Sequence, residues 1–235
     1  MKKIHLNFAQ NSHYQAQKIN SQSALKFGFD ESFNFSMKDI DSVFYEKNKK
    51  ILEQSRGSGY WLWKPYFILK LLNEFSDNDV IFYTDSGSEL ISHVNPLIEL
   101  LKTQDIIPFS IDGALEIHNT KRDCFILMDC DEKKYHYSTH LNAAFILLKK
   151  TNFTINFFNE YLKYASDERC ITDNPNNILI EHPENRGHRH DQSIYSLMCK
   201  KHNLKTFRDP SQWGNNLPDD KDKFGQIINH SRYNG

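Results

Sequence analysis

The clearest alternation of apolar and polar positions lies between Lys64 and Thr84, where it predicts a helix followed by a buried strand. Pro65 has a fixed φ and no N–H, which suits the start of a helix, so we expect a helix from about Lys64. Residues 80–83 are short, apolar, and rich in β-branched and aromatic side chains, which is typical of a strand buried on both faces. Apolar side chains also form one stripe along the helix, at Phe67, Ile68, Leu71, Leu72 and Phe75.

Similar patterns predict alternating strands and helices along the rest of the chain. We expect further strands over residues 3–8, 33–35, 105–110 and 142–149. We expect further helices over residues 14–26, 39–54, 94–102 and 153–162, and one that begins at 191 or 192. Alternation of this kind is typical of an α/β fold, and no linker-like stretch divides the 235 residues. The sequence therefore predicts one α/β domain.

Composition narrows the classes of function. The chain is 39% hydrophobic and 25% charged, with a formal net charge of −1, which argues against a nucleic-acid binder that relies on bulk positive charge. Four cysteines form no CxxC pair, and residues 1–10 contain no apolar signal segment, so we expect a cytoplasmic protein. No stretch approaches the roughly 20 apolar residues that span a bilayer. Membrane association, if present, is expected to be peripheral, at the inner face.

A polar turn follows the predicted strand at residues 80–83. It contains Asp85, Ser86 and Gly87. In open α/β sheets, ligands gather beyond the carboxyl ends of the strands, so a carboxylate at Asp85 is well placed for chemistry. The alternative is an aspartate that only stabilises a turn. The polar loop at residues 7–13 follows the first strand in the same way, and it can either contact a nucleotide or be solvated.

Glycine interrupts the pattern before the predicted helix, at Gly57 and Gly59, which suggests a turn where the backbone closely approaches another backbone or a ligand. Arg56 beside this turn can pair with a diphosphate or simply be solvated. Three aromatic residues follow, and they can line a pocket by stacking on a base or a sugar or else belong to the core: Tyr60, Trp61 and Trp63.

A second polar cluster precedes the last predicted helix, in the order His188, Arg189, His190, Asp191 and Gln192. A carboxylate in the first turn of a helix interacts well with the helix N-terminus, so a capping role is one interpretation. Imidazole and carboxylate groups also suit zinc, but the spacing matches no zinc signature.

Taken together, four motifs resemble one family: GSGYWLWKPYFILKLL, DVIFYTDSGSEL, HRHDQSIYSLM and a terminal IINHSR. The chain resembles a group of small bacterial and viral glycosyltransferases of the GT-A type, found in capsule and lipopolysaccharide assembly, from about Ile4 to Arg232. The resemblance implies a single-domain nucleotide-diphospho-sugar transferase fold with a mixed, mostly parallel sheet flanked by helices. Residues 1–235 would form this domain, with a nucleotide-binding half at about 1–112 and an acceptor-side half at about 113–235.

The resemblance also implies substrates, a metal and roles for individual residues. It implies a nucleotide-sugar donor, with a UDP-sugar favoured, a saccharide or lipid-linked saccharide acceptor, no nucleic acid, and a divalent Mn²⁺ or Mg²⁺ ion. Donor-binding residues would be Arg56, Tyr60, Trp63, Lys64, Asp85, Ser86 and Gly87. The remaining roles would fall to His188, Arg189 and His190 for acceptor binding, Asp191 and Gln192 for catalysis, and Asp85 and His230 for the metal.

The acidic signature departs from the family. The usual pattern is Asp-x-Asp, and here the stretch reads Asp85, Ser86, Gly87, so one carboxylate is missing. In related enzymes a carboxy-terminal histidine also binds the metal, which would be His230 here; the alternative is a tail histidine in solvent. An inverting reaction would use Asp191 as the base, whereas a retaining one would use Asp191 or Gln192 to stabilise the far face of the sugar.

Two other functions stay open at the level of sequence. The chain could keep the fold yet act as a non-catalytic sugar-binding or scaffold component, because a fold does not guarantee activity. It could also be a metal hydrolase whose centre is built from His188, His190, Asp191 and His230.

Overall fold

The computed structural model describes residues 1–216 and 224–231, so Arg232 of the terminal motif lies outside the described residues. A five-stranded sheet with the order β2-β1-β3-β6-β5 forms the centre of the fold. Strand β1 pairs in parallel with β2 and β3, while β6 pairs antiparallel with β3 and β5. Four strands therefore point one way and β6 points the other, which confirms the predicted mixed, mostly parallel sheet. The strands are β1 (Lys3–Phe8), β2 (Glu31–Phe35), β3 (Val80–Thr84), β5 (Ile106–Leu115) and β6 (Thr139–Lys149).

A small second sheet pairs β4 (Glu89–Leu90) with β7 (Ile228–Asn229) and brings the carboxy-terminal segment beside the end of β3. The α-helical segments are α1 (Tyr14–Lys26), α2 (Ser42–Lys47), α3 (Lys49–Leu52), α4 (Gly57–Tyr60), α5 (Trp63–Glu74), α6 (Asn95–Leu100), α7 (Glu116–Asn119), α8 (Arg122–Leu127), α9 (Lys133–His136), α10 (Asn152–Ala165), α11 (Glu168–Ile171) and α12 (Asp191–Lys201). Short 3₁₀ helices occur at Asn11–His13, Met37–Asp39 and Gln212–Asn216.

Helices cover both faces of the large sheet, and each face has its own apolar core. On one face, α5, α10 and α12 pack against alternate strand residues that include Ile81 and Ile146. On the other face, α1 and α6 pack against the intervening residues, such as Phe82 and Leu147. Because neighbouring strand residues point to opposite faces, the continuous apolar run in β3 places a side chain in each core.

Several predicted elements are confirmed with their bounds, among them β1 and α1. The single helix predicted over residues 39–54 is wrong, because the structure divides this stretch into a 3₁₀ turn, α2 and α3. Asp41 accepts a hydrogen bond from the Phe44 N–H at 2.8 Å, and the Asn48 side chain donates to the Phe44 carbonyl at 3.0 Å. Such short polar side chains compete with the helical backbone for hydrogen bonds, so they mark helix ends.

A histidine buried within the sheet makes the stability of the fold depend on pH. His5 on β1 is fully buried, and its ring nitrogens lie 2.8 Å from the Ser32 hydroxyl and 2.9 Å from the Thr84 hydroxyl. Burial lowers the pKa of His5 to about 3, from 6.5. The unfolded chain therefore takes up a proton first as the pH falls below 6.5, and the folded state loses stability until the pH approaches 3.

We expect His5→Gln to reduce this acid sensitivity, because glutamine keeps hydrogen-bonding groups at the position but does not titrate. Between pH 7 and pH 5, wild type should lose about 2 kcal/mol more free energy of unfolding than the variant, from the linkage of one such group. Urea unfolding of both proteins at the two pH values measures this difference. Equal losses in the two proteins would contradict the assignment.

Candidate functional site

Two cavities meet beyond the carboxyl ends of β1 and β3. The Gly87 cavity has a volume of about 430 Å³ and is lined by the loop at residues 8–13, by Ser55, Gly57, Ser58, Trp61, Trp63 and Tyr83, and by Asp85, Ser86, Gly87 and His230. The Asp191 cavity has a volume of about 550 Å³, and its walls include Lys64, Arg189, His190, Asp191, Gln192 and Trp213. Trp61, Asp85 and His230 line both cavities and thus form their common boundary.

A buried ammonium group joins the elements around the Asp191 cavity. Lys64 in the first turn of α5 is 3% exposed. Its Nζ lies 2.6 Å from Asp191 Oδ2 and 3.8 Å from Asp85 Oδ1, and it donates a hydrogen bond to the Ala143 carbonyl at 3.0 Å. Lys64 therefore connects the end of β3, the middle of β6 and the start of α12. Its role as a donor contact stays a prediction, since its ammonium group is engaged by these three partners.

Asp191 is held in place by the Tyr161 hydroxyl in addition to Lys64. The Tyr161 hydroxyl donates to the Asp191 carbonyl at 3.0 Å and lies 3.3 Å from Asp191 Oδ2. Burial raises the pKa of Asp191 to about 6, although the positive charge of Lys64 acts in the opposite direction. Gln192 Oε1 accepts a hydrogen bond from the Ala143 N–H at 3.3 Å. Asp191 is thus an oriented, buried carboxylate whose pKa lies near neutrality, as expected of a group that exchanges protons.

Asp85 follows β3 directly and is more accessible, with 34% of its side chain exposed. The Tyr83 hydroxyl donates to Asp85 Oδ1 at 2.5 Å, and the Asp85 N–H donates to the Ala144 carbonyl at 2.9 Å. Burial raises the pKa of Tyr83 well above its ordinary value, so this hydroxyl keeps its proton and remains a donor. The carboxylate is therefore fixed at the boundary of the two cavities while part of it faces solvent.

A left-handed turn places Trp61 on that boundary. The five residues from Gly57 to Trp61 all have positive φ, at 57°, 51°, 91°, 53° and 61°. Each residue other than glycine costs roughly 1–2 kcal/mol in this conformation. Gly59 is required because a Cβ there would lie 2.7 Å from the Leu52 Cα. Strain of this kind persists only where surrounding contacts enforce it, and it is common at functional sites.

The other aromatic residues of this region belong mainly to the core. Trp63 stacks on Phe8 with ring centroids 3.8 Å apart, and its indole N–H donates to the Gly57 carbonyl at 3.0 Å. Tyr60 is buried and packs against the His190 ring at 4.9 Å. Trp63 still lines the Gly87 cavity. Its role and that of Tyr60 in donor binding stay predictions.

The three residues predicted to bind the acceptor occupy different environments. His188 is buried, with Nδ1 3.2 Å from the Lys121 N–H and Nε2 2.7 Å from the Cys170 carbonyl, so both ring nitrogens are engaged by main-chain groups. Arg189 and His190 line the Asp191 cavity. His190 Nδ1 lies 2.9 Å from the Ile171 carbonyl, whereas its Nε2 has no hydrogen-bond partner among the described residues.

Arg56 lies at the mouth of the Asp191 cavity, where its Nε is 3.5 Å from Asp173 Oδ2. Both side chains are largely exposed, so this ion pair is weak and a ligand with greater negative charge can displace it. The role of Arg56 in binding a diphosphate stays a prediction.

Trp213 is a wall residue of the Asp191 cavity that the sequence analysis did not single out. It is 57% exposed although tryptophan is usually buried, and it lies in the 3₁₀ helix Gln212–Asn216. Asp209 fixes this segment, since Asp209 Oδ1 accepts from the Ser211 N–H at 2.8 Å and Asp209 Oδ2 accepts from Asn142 Nδ2 at 2.7 Å. An indole held by a rigid turn at a cavity rim is a stacking surface. The tryptophan within DPSQWG was the only sequence signal for it.

A buried ionic group also reaches the Asp191 cavity. Glu116 and His140 are fully buried, with Glu116 Oε2 2.8 Å from His140 Nδ1, and the Ser196 hydroxyl and the Lys200 ammonium group donate to Glu116 Oε1. Burial alone would raise the pKa of Glu116, but His140 and Lys200 lower it to about 2. Within the described residues His140 Nε2 has no hydrogen-bond partner, and His140 lines the cavity. No sequence pattern indicated this pair.

The alternative hydrolytic centre is not assembled. Among residues 1–216 and 224–231, no ligand set brings three of His188, His190, Asp191 and His230 together. The same part of the chain contains no helix that is both long enough and apolar enough to cross a membrane.

No protein-family model matches the sequence, and no curated protein matches it significantly. Solved structures with similar folds include the apo structure of WbbM, a bifunctional glycosyltransferase, with a TM-score of 0.54 and 9% identity over 89% of this chain and 39% of WbbM. Another is a glycosyltransferase involved in the glycosylation of the major capsid of PBCV-1, with a TM-score of 0.52 and 6% identity over 90% of this chain and 84% of that one. At such low sequence identities, structural similarity is evidence about the fold alone. The chain therefore adopts the GT-A glycosyltransferase fold.

Proposed function

We propose that this protein is a glycosyltransferase that moves a sugar from a nucleotide-diphosphate donor to a saccharide hydroxyl. The observation that carries the proposal is the pair of cavities that share Asp85, His230 and Trp61 as their boundary. Transfer between two substrates requires two binding spaces with the reacting atoms at their junction. Asp191 and Gln192 line the Asp191 cavity and not the Gly87 cavity, and this asymmetry supports separate places for the donor and the acceptor.

The Gly87 cavity suits the nucleotide. It lies at the carboxyl ends of the parallel strands β1 and β3, where nucleotides bind in α/β folds, and the loop at residues 8–13 offers polar groups to a base and ribose. We assign the donor as a UDP-sugar and the nucleotide-binding half as residues 1–112. Ser86 and Gly87 line the same cavity, and we propose that Arg56, which lines the Asp191 cavity, binds the diphosphate from that side.

The residues at the boundary fit a divalent metal. Asp85 presents a partly exposed carboxylate, and His230 lines the same two cavities. We propose that Asp85 and His230 hold Mn²⁺ or Mg²⁺, which when bound would neutralise the charge that develops on the leaving diphosphate. The missing second aspartate leaves the protein with fewer oxygen ligands, so the donor phosphates would supply the others. The ordered carboxylate of Asp85 then orients the donor.

The Asp191 cavity suits the acceptor. Trp213 offers an exposed indole face for stacking on a sugar ring, and the polar groups of Arg189 and His190 line the same wall. In an inverting reaction Asp191 takes the proton from the acceptor hydroxyl while the oxygen forms a bond to the anomeric carbon and the bond to the diphosphate breaks. In a retaining reaction Asp191 or Gln192 instead stabilises the positive charge on the far face of the sugar. The anomeric configuration of the product distinguishes the two.

The biological setting follows from the motif resemblance rather than from the geometry. We propose a role in surface polysaccharide synthesis, with a saccharide or lipid-linked saccharide acceptor. Action in the cytoplasm, at the inner face of the membrane, would give access to such an acceptor.

A second candidate is a non-catalytic sugar-binding or scaffold protein. Gly87 in place of the second acidic residue favours it, because the loss of a metal ligand can abolish turnover without changing the fold.

We expect wild-type protein to release nucleoside diphosphate from one member of a panel of nucleotide sugars, and Asp191→Asn to lower this rate by about 100-fold or more. The reason is that asparagine cannot accept the proton or offer negative charge. A coupled assay of diphosphate release measures the rates, with the exposed Asp77→Asn as the matched control. Tight saccharide binding without turnover of any donor would instead establish the scaffold.

We expect a chelator to abolish turnover and Mn²⁺ to restore it. Asp85→Asn should raise the Mn²⁺ concentration for half-maximal rate by about tenfold or more, since an amide is a weaker ligand for a hard cation. Metal titration of the initial rate measures this, and Glu89→Gln, an exposed residue of the neighbouring β4, is the control. Turnover that is unchanged by the chelator would refute the metal assignment but not the proposed transferase activity.

We expect Trp213→Ala to raise the acceptor KM by about 2- to 12-fold, the range for loss of one stacking contact. Hydrolysis of the donor without acceptor should be unchanged, because Trp213 lines only the Asp191 cavity. Steady-state kinetics with varied acceptor measure the change, and Trp213→Phe should restore most of the affinity. An equal fall in donor hydrolysis would show that Trp213 serves the donor instead.

A further inference from the structure

Outside the two cavities, three potential metal ligands converge on one point. Asp131 Oδ1 lies 2.9 Å from His136 Nε2 and 3.0 Å from His182 Nε2. The three ligand atoms lie within 4.8 Å of one another. These residues, which we call the Asp131 cluster, come from the α8–α9 connection, from α9 and from the long segment at residues 172–190.

Two of the three spacings between the ligand atoms are close to those around a small tetrahedral cation. Ligands that bind zinc at about 2.0–2.1 Å in a tetrahedron lie roughly 3.3 Å apart. The two nitrogen-to-oxygen distances of 2.9 and 3.0 Å are a few tenths of an ångström shorter, so a slight expansion of the cluster would admit the ion. Two imidazoles and one carboxylate form a ligand set that suits zinc and its neighbours, and the hard cations of a diphosphate site prefer oxygen.

The surroundings orient the carboxylate. Arg122 Nε and Nη2 each donate to Asp131 Oδ2 at 3.3 Å, which turns Oδ1 toward the two imidazoles. Hydrogen bonds to the oxygen that does not face the ion are the usual outer support of a metal site. The guanidinium charge opposes cation binding, and its attraction to Asp131 is what an ion at the cluster would have to share; Nη1 is held in place by the Ile180 carbonyl, to which it donates at 3.0 Å.

Each histidine now holds its Nε2 against Asp131 Oδ1, and a bound cation would replace these two hydrogen bonds. Metal binding requires a lone pair on Nε2 and moves the proton to Nδ1. Over the described ranges, 1–216 and 224–231, neither Nδ1 makes a hydrogen bond that the change would disrupt. The ring of Phe125 packs edge-on against both imidazoles, with centroids 4.7 and 6.1 Å away, and fixes their planes. The cluster is therefore arranged before any ion arrives.

We propose that the Asp131 cluster binds one Zn²⁺ ion through His136, His182 and Asp131, with a solvent molecule as the fourth ligand. The ion would fasten the segment at residues 172–190 to α8 and α9. This segment contains neither helix nor strand, and its end supplies Arg189 and His190 to the wall of the Asp191 cavity. A zinc site would therefore hold one wall of the acceptor space in place from a distance. The binding site itself does not depend on the transferase assignment.

Zinc retention by the purified, tag-free full chain tests the proposal. After dialysis against a weak chelator and back-titration, we expect one Zn²⁺ per chain in wild type by elemental analysis. The matched control is His202→Gln, since His202 is another partly exposed histidine beside a carboxylate, 3.4 Å from Glu160. It should retain the ion, as should Asp85→Asn. His182→Gln and Asp131→Asn should each weaken binding by about 10-fold or more.

Two further measurements separate zinc binding from a simple hydrogen-bonded cluster. Co²⁺ in place of zinc should give the intense visible bands of a four-coordinate site in wild type and not in His182→Gln. Added zinc should raise the Tm of wild type and leave that of His182→Gln unchanged, because only a ligand that binds the native state stabilises it.

Two outcomes would overturn the proposal. One is stoichiometric zinc retained equally by His182→Gln and Asp131→Asn, which would place the ion elsewhere. The other is a wild type that shows no saturable zinc binding, with an Asp131→Asn variant whose Tm is lowered equally with and without zinc. That result would mean that the cluster is held together by hydrogen bonds and binds no ion. Circular dichroism of each variant confirms that it is folded.

Discussion

The ammonium group of Lys64 lies out of water between two carboxylates and a carbonyl, and three parts of the chain meet on it. Isolating such a charge costs several kcal/mol, and only close opposite charge with good hydrogen bonds offsets this. Asp191 at 2.6 Å, Asp85 at 3.8 Å and the Ala143 carbonyl at 3.0 Å provide that compensation. In return the ammonium group keeps Asp191 largely ionised at neutral pH even though burial raises its pKa. The position of α5, the end of β3 and the start of α12 are therefore coupled.

Around this centre the chain tolerates unfavourable conformations. Two segments with positive φ meet here: the left-handed turn at Gly57–Trp61 and the residue His190. The rings of Trp61 and His190 stack on each other with centroids 5.6 Å apart. Each is strained by itself, and the packing of the two rings supports both. The result is a rigid boundary between the Gly87 and Asp191 cavities. Rigidity there suits the proposed transfer, which requires the two substrates to be held in contact.

The Asp191 cavity is built differently from the Gly87 cavity. The Gly87 cavity is formed at strand ends, whereas much of the Asp191 cavity depends on turns and on a segment without regular structure. Asp209 fixes the turn that carries Trp213, and the Asp131 cluster fixes the segment that ends in His190. The loops around the Asp191 cavity can thus vary while the sheet stays constant, as is general for sites carried by a rigid scaffold.

The sequence by itself determined the regular elements near the site. The apolar stripe of α5 and the apolar run of β3 are local patterns, so periodicity located them, and it placed Asp85 just beyond a strand and Asp191 in the first turn of a helix. It failed over residues 39–54, where Asp41 and Asn48 end helices by side-chain hydrogen bonds that periodicity does not register. Only the tertiary structure decided that Lys64 joins Asp85 to Asp191, that His188 is engaged while His190 Nε2 has no described partner, and that Trp213 and His140 reach the cavity. These are contacts between residues far apart in the chain. Their geometry depends on how sheet edges, loops and a strained turn come together, which no local pattern of residues encodes.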